Sequence, residues 1–256
     1  MDAVRCNRRL NAELLRRFER STVADRVSNQ KNMRKPVVDS TRFIDLSHAI
    51  EDGMKAYPGF PSPKIQAFLS REDSQSHYDG KAEFYIGKVE MVGNVGTYLD
   101  SPFHRNAKGL DLSQIPLESI AAVTGIAIDG QPSANRSIKI DCDESELRGR
   151  AVLVRTGWDE RWGTERYWEP SPFLSDGSID LLVRSKAKLV GVDFWNIDDV
   201  ENKARPAHTR LLGANIVIVE HLANLSALPR TGFRFYAVPP RIVNGASFPV
   251  RAFAEI

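Results

Sequence analysis

The stretch LVGVDFWNID, residues 189–198, is a run of apolar and β-branched residues that ends in polar ones. A second run of this kind, NIVIVEHLA, spans residues 215–223. Continuous apolar runs without alternation are typical of strands that are buried on both faces of a sheet. A short helix is predicted between them, from about Ala207 to Leu212. The two runs therefore predict the centre of a layered fold with a sheet as its core.

The rest of the chain predicts more strands and few helices. Ser175 is predicted to cap a helix that continues to Lys186, because its hydroxyl can accept from a free backbone N–H of the first turn. Strands outnumber helices, and the helices fall singly between them. This pattern favours a mixed α/β or α+β layer fold over a doubly wound parallel sheet. Further strands are predicted at 43–50, 65–70, 83–92, 123–129, 151–156, 233–242 and 248–256.

The composition limits the class of protein. With 256 residues, of which 42% are hydrophobic and 27% charged, the chain can bury the core of one large α/β domain. No apolar run is long enough to predict a membrane span, and the N-terminus lacks the apolar core of a secretory signal. Cys6 and Cys142 lie far apart, so neither a disulfide framework nor a cysteine zinc site is expected. We expect a cytoplasmic protein that does not bind membranes.

The first part of the chain differs from the rest in charge. Residues 1–36 carry ten Lys and Arg against four Asp and Glu. Apolar residues at helical spacing predict a short amphipathic helix within residues 8–20. No aromatic residues alternate with the cations, so binding of nucleic acid is not expected. We predict a basic, partly helical N-terminal extension over residues 1–36 and one main domain over residues 37–256.

Several polar side chains cluster in NVGTYLDSPFHR, residues 94–105. Asp100 and His104 are separated by Pro102, which predicts that a stiff, extended turn presents both side chains. Thr97 adds a hydroxyl. Two interpretations remain open at this point. The segment is either a loop that presents groups to a pocket, or a polar turn in which Asp100 and His104 hydrogen-bond to the backbone.

A second group of polar residues lies at the ends of the two apolar runs. Glu220 ends the second run, and a carboxylate on a buried strand needs a cation, a metal or several donors to offset its desolvation. His208 lies on the preceding predicted helix, so one connection could direct an imidazole and a carboxylate to the same point. Asp193 and Asp198 end the first run, where α/β folds often place sites. A capped strand end is the alternative interpretation for these two aspartates.

The chain lacks the sequence motifs of serine hydrolases, zincins and nucleotide-binding enzymes. The stretch from Asn94 to His104 instead resembles H-x-G-T-H-x-D-x-P-x-H, the hallmark of the cyclase family of metal-dependent hydrolases, which includes kynurenine formamidase and isatin hydrolase. Asn94 and Tyr98 stand where the family has its first two histidines. Other segments resemble the family as well, so that the resemblance covers about residues 43–256. These segments are 43–59, 151–158, 189–198 and 207–228.

The resemblance implies a swivelling β/β/α fold, assembled as a homodimer or homotetramer, that hydrolyses an amide or lactam-type C–N bond of a small molecule with zinc or manganese. Carried over by position, it implies Asp100, His208 and Glu220 as metal ligands and His104 as general acid/base. The departure at Asn94 and Tyr98 removes two ligands, because a phenol of pKa about 10 and a neutral amide are poor partners for zinc. One divalent metal at most is therefore expected.

Three hypotheses about function follow. In the first, activated water attacks a carbonyl and Tyr98 donates to the developing oxyanion. In the second, the protein is a lyase, isomerase or dehydratase that needs no metal and uses His104 with Tyr98. In the third, it is a pseudoenzyme that binds a small aromatic ligand, or a partner, without turnover. The residues for that binding would be Trp158, Trp162, Trp168 and Trp195. The retained motif residues favour an enzyme of the first kind. Its substrate is expected to contact Asn94, Thr97, Trp195 and Phe60.

Overall fold

The computed structural model describes residues 42–256. The predicted basic extension over residues 1–36 and the start of the main domain at residue 37 lie outside the described residues and stay predictions. Within the described range, no helix is both long and apolar enough to cross a membrane.

The described residues form many short strands and few helices. The helices are α1 (Arg71–Ser74), α2 (Glu144–Leu147), α3 (Asp176–Ser185) and α4 (Pro206–Gly213). Single 3-10 turns lie at Gln75–Tyr78, Pro102–His104, Leu117–Ser119, Trp158–Arg161, Glu165–Trp168 and Leu225–Ala227. The strands are β1 (Phe43–Asp45), β2 (Lys64–Leu69), β3 (Ile86–Glu90), β4 (Tyr98–Asp100), β5 (Val123–Asp129), β6 (Ser137–Ile138), β7 (Ala151–Arg155), β8 (Phe173–Leu174), β9 (Leu189–Val192), β10 (Val217–Glu220), β11 (Arg234–Tyr236), β12 (Ser247–Pro249) and β13 (Phe253–Glu255).

Over residues 42–256, nine of these strands make one mixed sheet, in the order β1-β13-β11-β5-β7-β9-β10-β4-β12. The central strands β5, β7, β9 and β10 run parallel. The strands on either side of this parallel group pair antiparallel. Strands β2 and β3 form a separate hairpin, and β6 pairs with β8. A mixed sheet with few helices, as the sequence predicts, is confirmed.

Both faces of the central strands are buried, which explains their unbroken apolar sequences. On β10, Val217 and Val219 pack in one core cluster, and Ile218 packs in the other. Helices α3 and α4 contribute Ile179, Leu182, Leu211 and Leu212 to the same cluster as Ile218. Because side chains alternate along a strand, Glu220 lies on the face that α4 covers. This arrangement brings the carboxylate of β10 to the helix that carries His208.

Most of the predicted helices and strands are present. The structure of residues 94–105, which were predicted to form a stiff, extended turn, differs in part from that prediction. Helix α3 begins after Ser175, whose hydroxyl accepts from Ser178 N, and it ends at Ser185, after which Lys186 adopts a left-handed conformation. The expected stiff turn of the motif contains a buried strand, β4, followed by the 3-10 turn at Pro102–His104. A strand of three residues is too short to show the alternation from which strands are predicted.

Candidate active site

Strand β4 places the motif side chains against two distant parts of the chain. It lies between β10 and β12, with Tyr98 opposite Glu220 and Asp100 opposite Ser247. Leu99 points into the apolar core on the other face. Tyr98 and Asp100 therefore point to the side on which α4 carries His208.

Asp100 is buried, and only one of its two oxygens is hydrogen-bonded. Ser247 Oγ donates to Asp100 Oδ1, and Asn94 Nδ2 donates to the same oxygen at 3.4 Å. Asp100 Oδ2 has no hydrogen-bond partner among the described residues, and it lies 3.7 Å from His208 Nε2. Burial alone would raise the pKa of Asp100, but His208 and His104 hold it below its usual value. The free oxygen thus has no hydrogen-bond donor in a dry site, and the charges of His208 and His104 are what offset its desolvation.

His208 is oriented by a carboxylate on its other side. Its Nδ1 lies 2.6 Å from Asp198 Oδ2, and since a carboxylate only accepts, Nδ1 is the donor. Asp198 also accepts from the backbone N–H groups of Ala207 and His208 in the first turn of α4. Burial by itself lowers the pKa of His208, but Asp100, Asp198 and Glu220 raise it to about 10. Asp198 therefore fixes both the helix start and the ring that faces Asp100.

Glu220 completes the group of carboxylates around His208. Its Oε1 accepts from Ile197 N at 2.7 Å and lies 3.7 Å from His208 Nε2. Its Oε2 accepts from the Tyr98 hydroxyl. Burial raises the pKa of Glu220 to about 7, against the opposing charge of His208. Burial, together with the charges of Glu220 and Asp100, raises the pKa of Tyr98, so the phenol keeps its proton and acts as a donor.

His104 lies at the more open side of the cluster. It is the last residue of the 3-10 turn after β4, and 30% of its side chain is exposed. Its Nδ1 is 3.3 Å from Ser247 Oγ and 3.8 Å from Asp100 Oδ1. Burial lowers its pKa, although the charge of Asp100 acts in the opposite direction. A mainly neutral imidazole next to solvent is able to accept a proton from water or donate one to a leaving group.

The donor set fits one divalent ion. The ligand atoms of Asp100, His104 and His208 all lie within 4.8 Å of one another. Glu220 Oε1 and Asp100 Oδ2 are each 3.7 Å from His208 Nε2. Two ligands that are each about 2.0–2.2 Å from a tetrahedral ion lie about 3.5 Å apart, so these separations suit a shared ion. The unpartnered Asp100 oxygen is the feature that such an ion would satisfy.

The four predicted substrate contacts lie in different surroundings. Asn94 is half-buried beside Asp100. Thr97 is buried, accepts from His48 N and donates to His221 O, so its hydroxyl holds two backbone segments together. Trp195 is buried, Phe60 is exposed, and both rings contact that of Tyr57. The centroid distances from Tyr57 are 5.4 Å to Trp195 and 5.2 Å to the exposed Phe60.

Two further residues belong to this site, and no sequence pattern predicts their roles. Ser247 could not be found from sequence, because an isolated serine in a C-terminal strand carries no signal. In the sequence, Asp198 stands at the end of an apolar run, and its pairing with His208 depends on the turn that leads into α4. Asp193 directly follows β9 and accepts hydrogen bonds from Thr156 and from Gly157 N, so it caps the end of that strand.

Comparisons with known proteins agree with this architecture. A family model described as a putative cyclase matches residues 44–199. Kynurenine formamidase of Geobacillus thermodenitrificans (strain NG80-2) is 25% identical over 215 residues, which cover 82% of this chain and 95% of that protein. Isatin hydrolase A from Labrenzia aggregata, bound to benzyl benzoate, has a TM-score of 0.70 at 21% identity and covers 85% of this chain and 94% of its own.

A further structure, described as a potential metal-dependent hydrolase with cyclase activity, has a TM-score of 0.66 at 21% identity and covers 84% of this chain and 98% of its own. At such identities the two structural likenesses show the fold alone. They confirm the predicted cyclase-like fold.

Proposed function

The chain belongs to the cyclase family, as its sequence predicted, and from that premise we propose that it is a hydrolase of an amide or lactam-type C–N bond in a small aromatic or cyclic compound. The relatives named kynurenine formamidase and isatin hydrolase support this reaction class. The single observation that carries the proposal is the buried Asp100 Oδ2, which faces His208 Nε2 at 3.7 Å and has no donor among the described residues.

We assign one divalent ion, zinc or manganese, to Asp100, His208 and Glu220. His104, whose ligand atom also lies within 4.8 Å of those of Asp100 and His208, is kept for proton transfer. When bound, such an ion polarises a carbonyl oxygen and lowers the pKa of water. Asp198 orients His208 with its Nε2 toward the two carboxylates. Ser247 and Asn94 donate hydrogen bonds to Asp100 Oδ1, and these bonds fix the orientation of the carboxylate and of its free Oδ2. These contacts set the geometry before substrate arrives.

The proton transfers are assigned to His104. Its imidazole lies at the open side of the cluster, and its lowered pKa keeps it neutral near pH 7. It accepts a proton from the attacking water and returns it to the leaving nitrogen. The Tyr98 hydroxyl donates to Glu220, so it restrains that carboxylate in the resting site. To donate to the developing oxyanion, as the sequence predicts, the Tyr98 hydroxyl would have to release Glu220.

The metal assignment is tested by elemental analysis of protein purified without chelators and by titration of chelator-treated protein with Zn²⁺ or Mn²⁺. We expect one ion per chain, and a loss of binding of about 100-fold or more in His208→Gln. His104→Gln should bind the ion normally but lose about 10²–10⁴-fold in kcat on isatin or an N-formyl aromatic amine. No bound ion in any preparation and no activation by either metal would refute the metal-dependent hydrolase.

Tyr98→Phe separates this proposal from a metal-independent lyase or isomerase that uses His104 and Tyr98. Removing the phenol leaves buried Glu220 Oε2 without its donor, which should cost about 1–3 kcal/mol of the free energy of unfolding. Tyr236→Phe is the matched control, since Tyr236 also donates to a carboxylate, Glu255, but at a wetter site. If chelators leave turnover unchanged while Tyr98→Phe abolishes it, the metal-independent reaction is the correct one.

A homodimer or homotetramer remains the expected assembly, on the family resemblance alone. Sedimentation of the full chain would measure it.

A further inference from the structure

A cavity of about 660 Å³ lies between the segment after β1 and the loop after β7. Its lining includes His48, Lys55, Trp162, Tyr167 and Trp168. Cavities of this size are typical of sites for small organic molecules. None of the residues that line it belongs to the cluster of Asp100, His104, His208 and Glu220, so the proposed hydrolase site does not account for it.

The cavity has an aromatic wall. The rings of His48 and Trp162 are stacked, with centroids 3.9 Å apart and planes 6° apart. Tyr167 meets Trp162 edge-on at 4.9 Å, and Trp168 meets Tyr167 edge-on at 5.3 Å. Tyr167 is itself fixed, because its hydroxyl is 2.8 Å from His221 Nδ1. Tyr167 is completely buried and serves to hold its neighbours in place, so the half-buried indoles of Trp162 and Trp168 are the rings that a flat ligand can contact.

His48 adds a polar group that the fold leaves unsatisfied. Its Nε2 is buried and has no hydrogen-bond partner within residues 42–256. Burial lowers the pKa of His48 to about 4, so the ring is neutral at pH 7 and adds no positive charge to the wall. A buried polar atom without a partner costs stability, and His48 carries this cost beside the cavity.

The charges around the cavity are mainly negative. Its lining contains four carboxylates and one ammonium group, that of Lys55. Lys55 Nζ is 2.5 Å from Glu165 Oε2 and 6.0 Å from the centroid of the Trp168 ring. At the exposed rim of the cavity, one ammonium group therefore already lies between a carboxylate and an indole, which are the two groups that attract organic cations. The three other carboxylates belong to Glu51, Asp159 and Glu160.

The cavity is separate from the candidate active site. Between the Trp162 ring and Glu220 lie the rings of His221 and Tyr98, with centroid distances of 5.7 Å from Trp162 to His221 and 5.3 Å from His221 to Tyr98. His221 and Tyr98 are both buried. Two ring layers therefore separate the Trp162 side of the cavity from Glu220, while on the other side the Trp168 ring lies 6.0 Å from that of Trp195.

We propose that this cavity is a second ligand site, which binds a small aromatic compound that carries a protonated amine. The aromatic ring stacks on the wall of Trp162 and Trp168, and the ammonium group lies among Glu51, Asp159 and Glu160. The proposal does not rest on the hydrolase assignment, because no residue of the metal cluster takes part.

The test is isothermal titration of the full chain with phenethylamine and, separately, with 3-phenylpropionate, both in the presence of a chelator. The two probes carry the same ring and opposite charges. We expect saturable binding of one phenethylammonium per chain and binding of the carboxylate that is weaker by about tenfold or more. Trp162→Leu should weaken the ammonium complex by about tenfold or more. Equal binding of the two probes, or no binding of phenethylammonium, would overturn the proposal.

Two control variants show whether the probe binds in this cavity or elsewhere on the protein. Phe68→Leu removes an exposed aromatic ring on the hairpin, and it should leave phenethylammonium binding unchanged. His104→Ala alters the candidate active site, and binding should again be unchanged. If His104→Ala abolishes binding while Trp162→Leu does not, the probe occupies the hydrolase site and the second site is refuted. Circular dichroism melting of each variant confirms that it is folded.

Discussion

At the scale of single residues, Asp198 is the side chain whose substitution tests the site most selectively. It accepts from His208 Nδ1 and from two backbone N–H groups of α4. Asp198→Asn keeps an oxygen that can cap the helix, but its amide donor next to Nδ1 favours the tautomer with the proton on Nε2. That tautomer cannot bind an ion through Nε2. We expect metal affinity to fall by about 10–100-fold, measured by titration of chelator-treated protein.

Ser175→Ala provides the control for this prediction. It removes a side-chain cap from α3 and should cost about 1 kcal/mol of the free energy of unfolding, with metal affinity unchanged. A variant Asp198→Asn that binds metal as tightly as the wild type would show that the aspartate serves the helix only.

At the scale of elements, the sequence predicts what depends on local pattern. The apolar runs of β9 and β10 and the serine before α3 are signals read within about ten residues. The pairing of Tyr98 with Glu220 is different, because it depends on the register of two strands that are 122 residues apart. The motif comparison could find Asp100, His104, His208 and Glu220, but it could not show that Tyr98 donates to Glu220. Contacts of this kind follow from the assembled sheet and from no single segment.

The hairpin of β2 and β3 should be the least protected β-structure of the described domain. It forms a two-stranded sheet of its own, and every residue of β3 is exposed. Two strands without a covering layer have little stability in water. We expect its amide hydrogens to exchange with solvent at least about 100-fold faster than those of β9 and β10, whose residues are all buried. Mass spectrometry of peptides after deuterium exchange measures this difference. Equal protection would mean that a partner or another part of the chain covers the hairpin.

At the scale of the whole molecule, buried neutral histidines should make stability depend on pH. Burial lowers the pKa of His48 from 6.5 to about 4 in the folded chain. Above pH 6.5 the ring is neutral in both states, so its contribution to stability is complete. Between pH 6.5 and 4 the unfolded chain binds a proton that the folded chain excludes, and the free energy of unfolding falls as the pH is lowered. His221, whose pKa burial lowers to about 3, acts in the same direction.

Comparison of the wild type with His48→Phe isolates one of these groups, because His221 and the buried carboxylates are present in both proteins. Urea unfolding in the presence of a chelator at pH 7, 5.5 and 4.5 measures the free energy of unfolding of each protein at each pH. The wild type should lose up to about 1.4 kcal/mol more than His48→Phe for each pH unit between 6.5 and 4. Phe68→Leu keeps the histidine and should follow the wild-type slope. If the free energy of unfolding of His48→Phe falls with pH as steeply as that of the wild type, the His48 imidazole is protonated in the folded protein. The ring beside the cavity would then not be neutral.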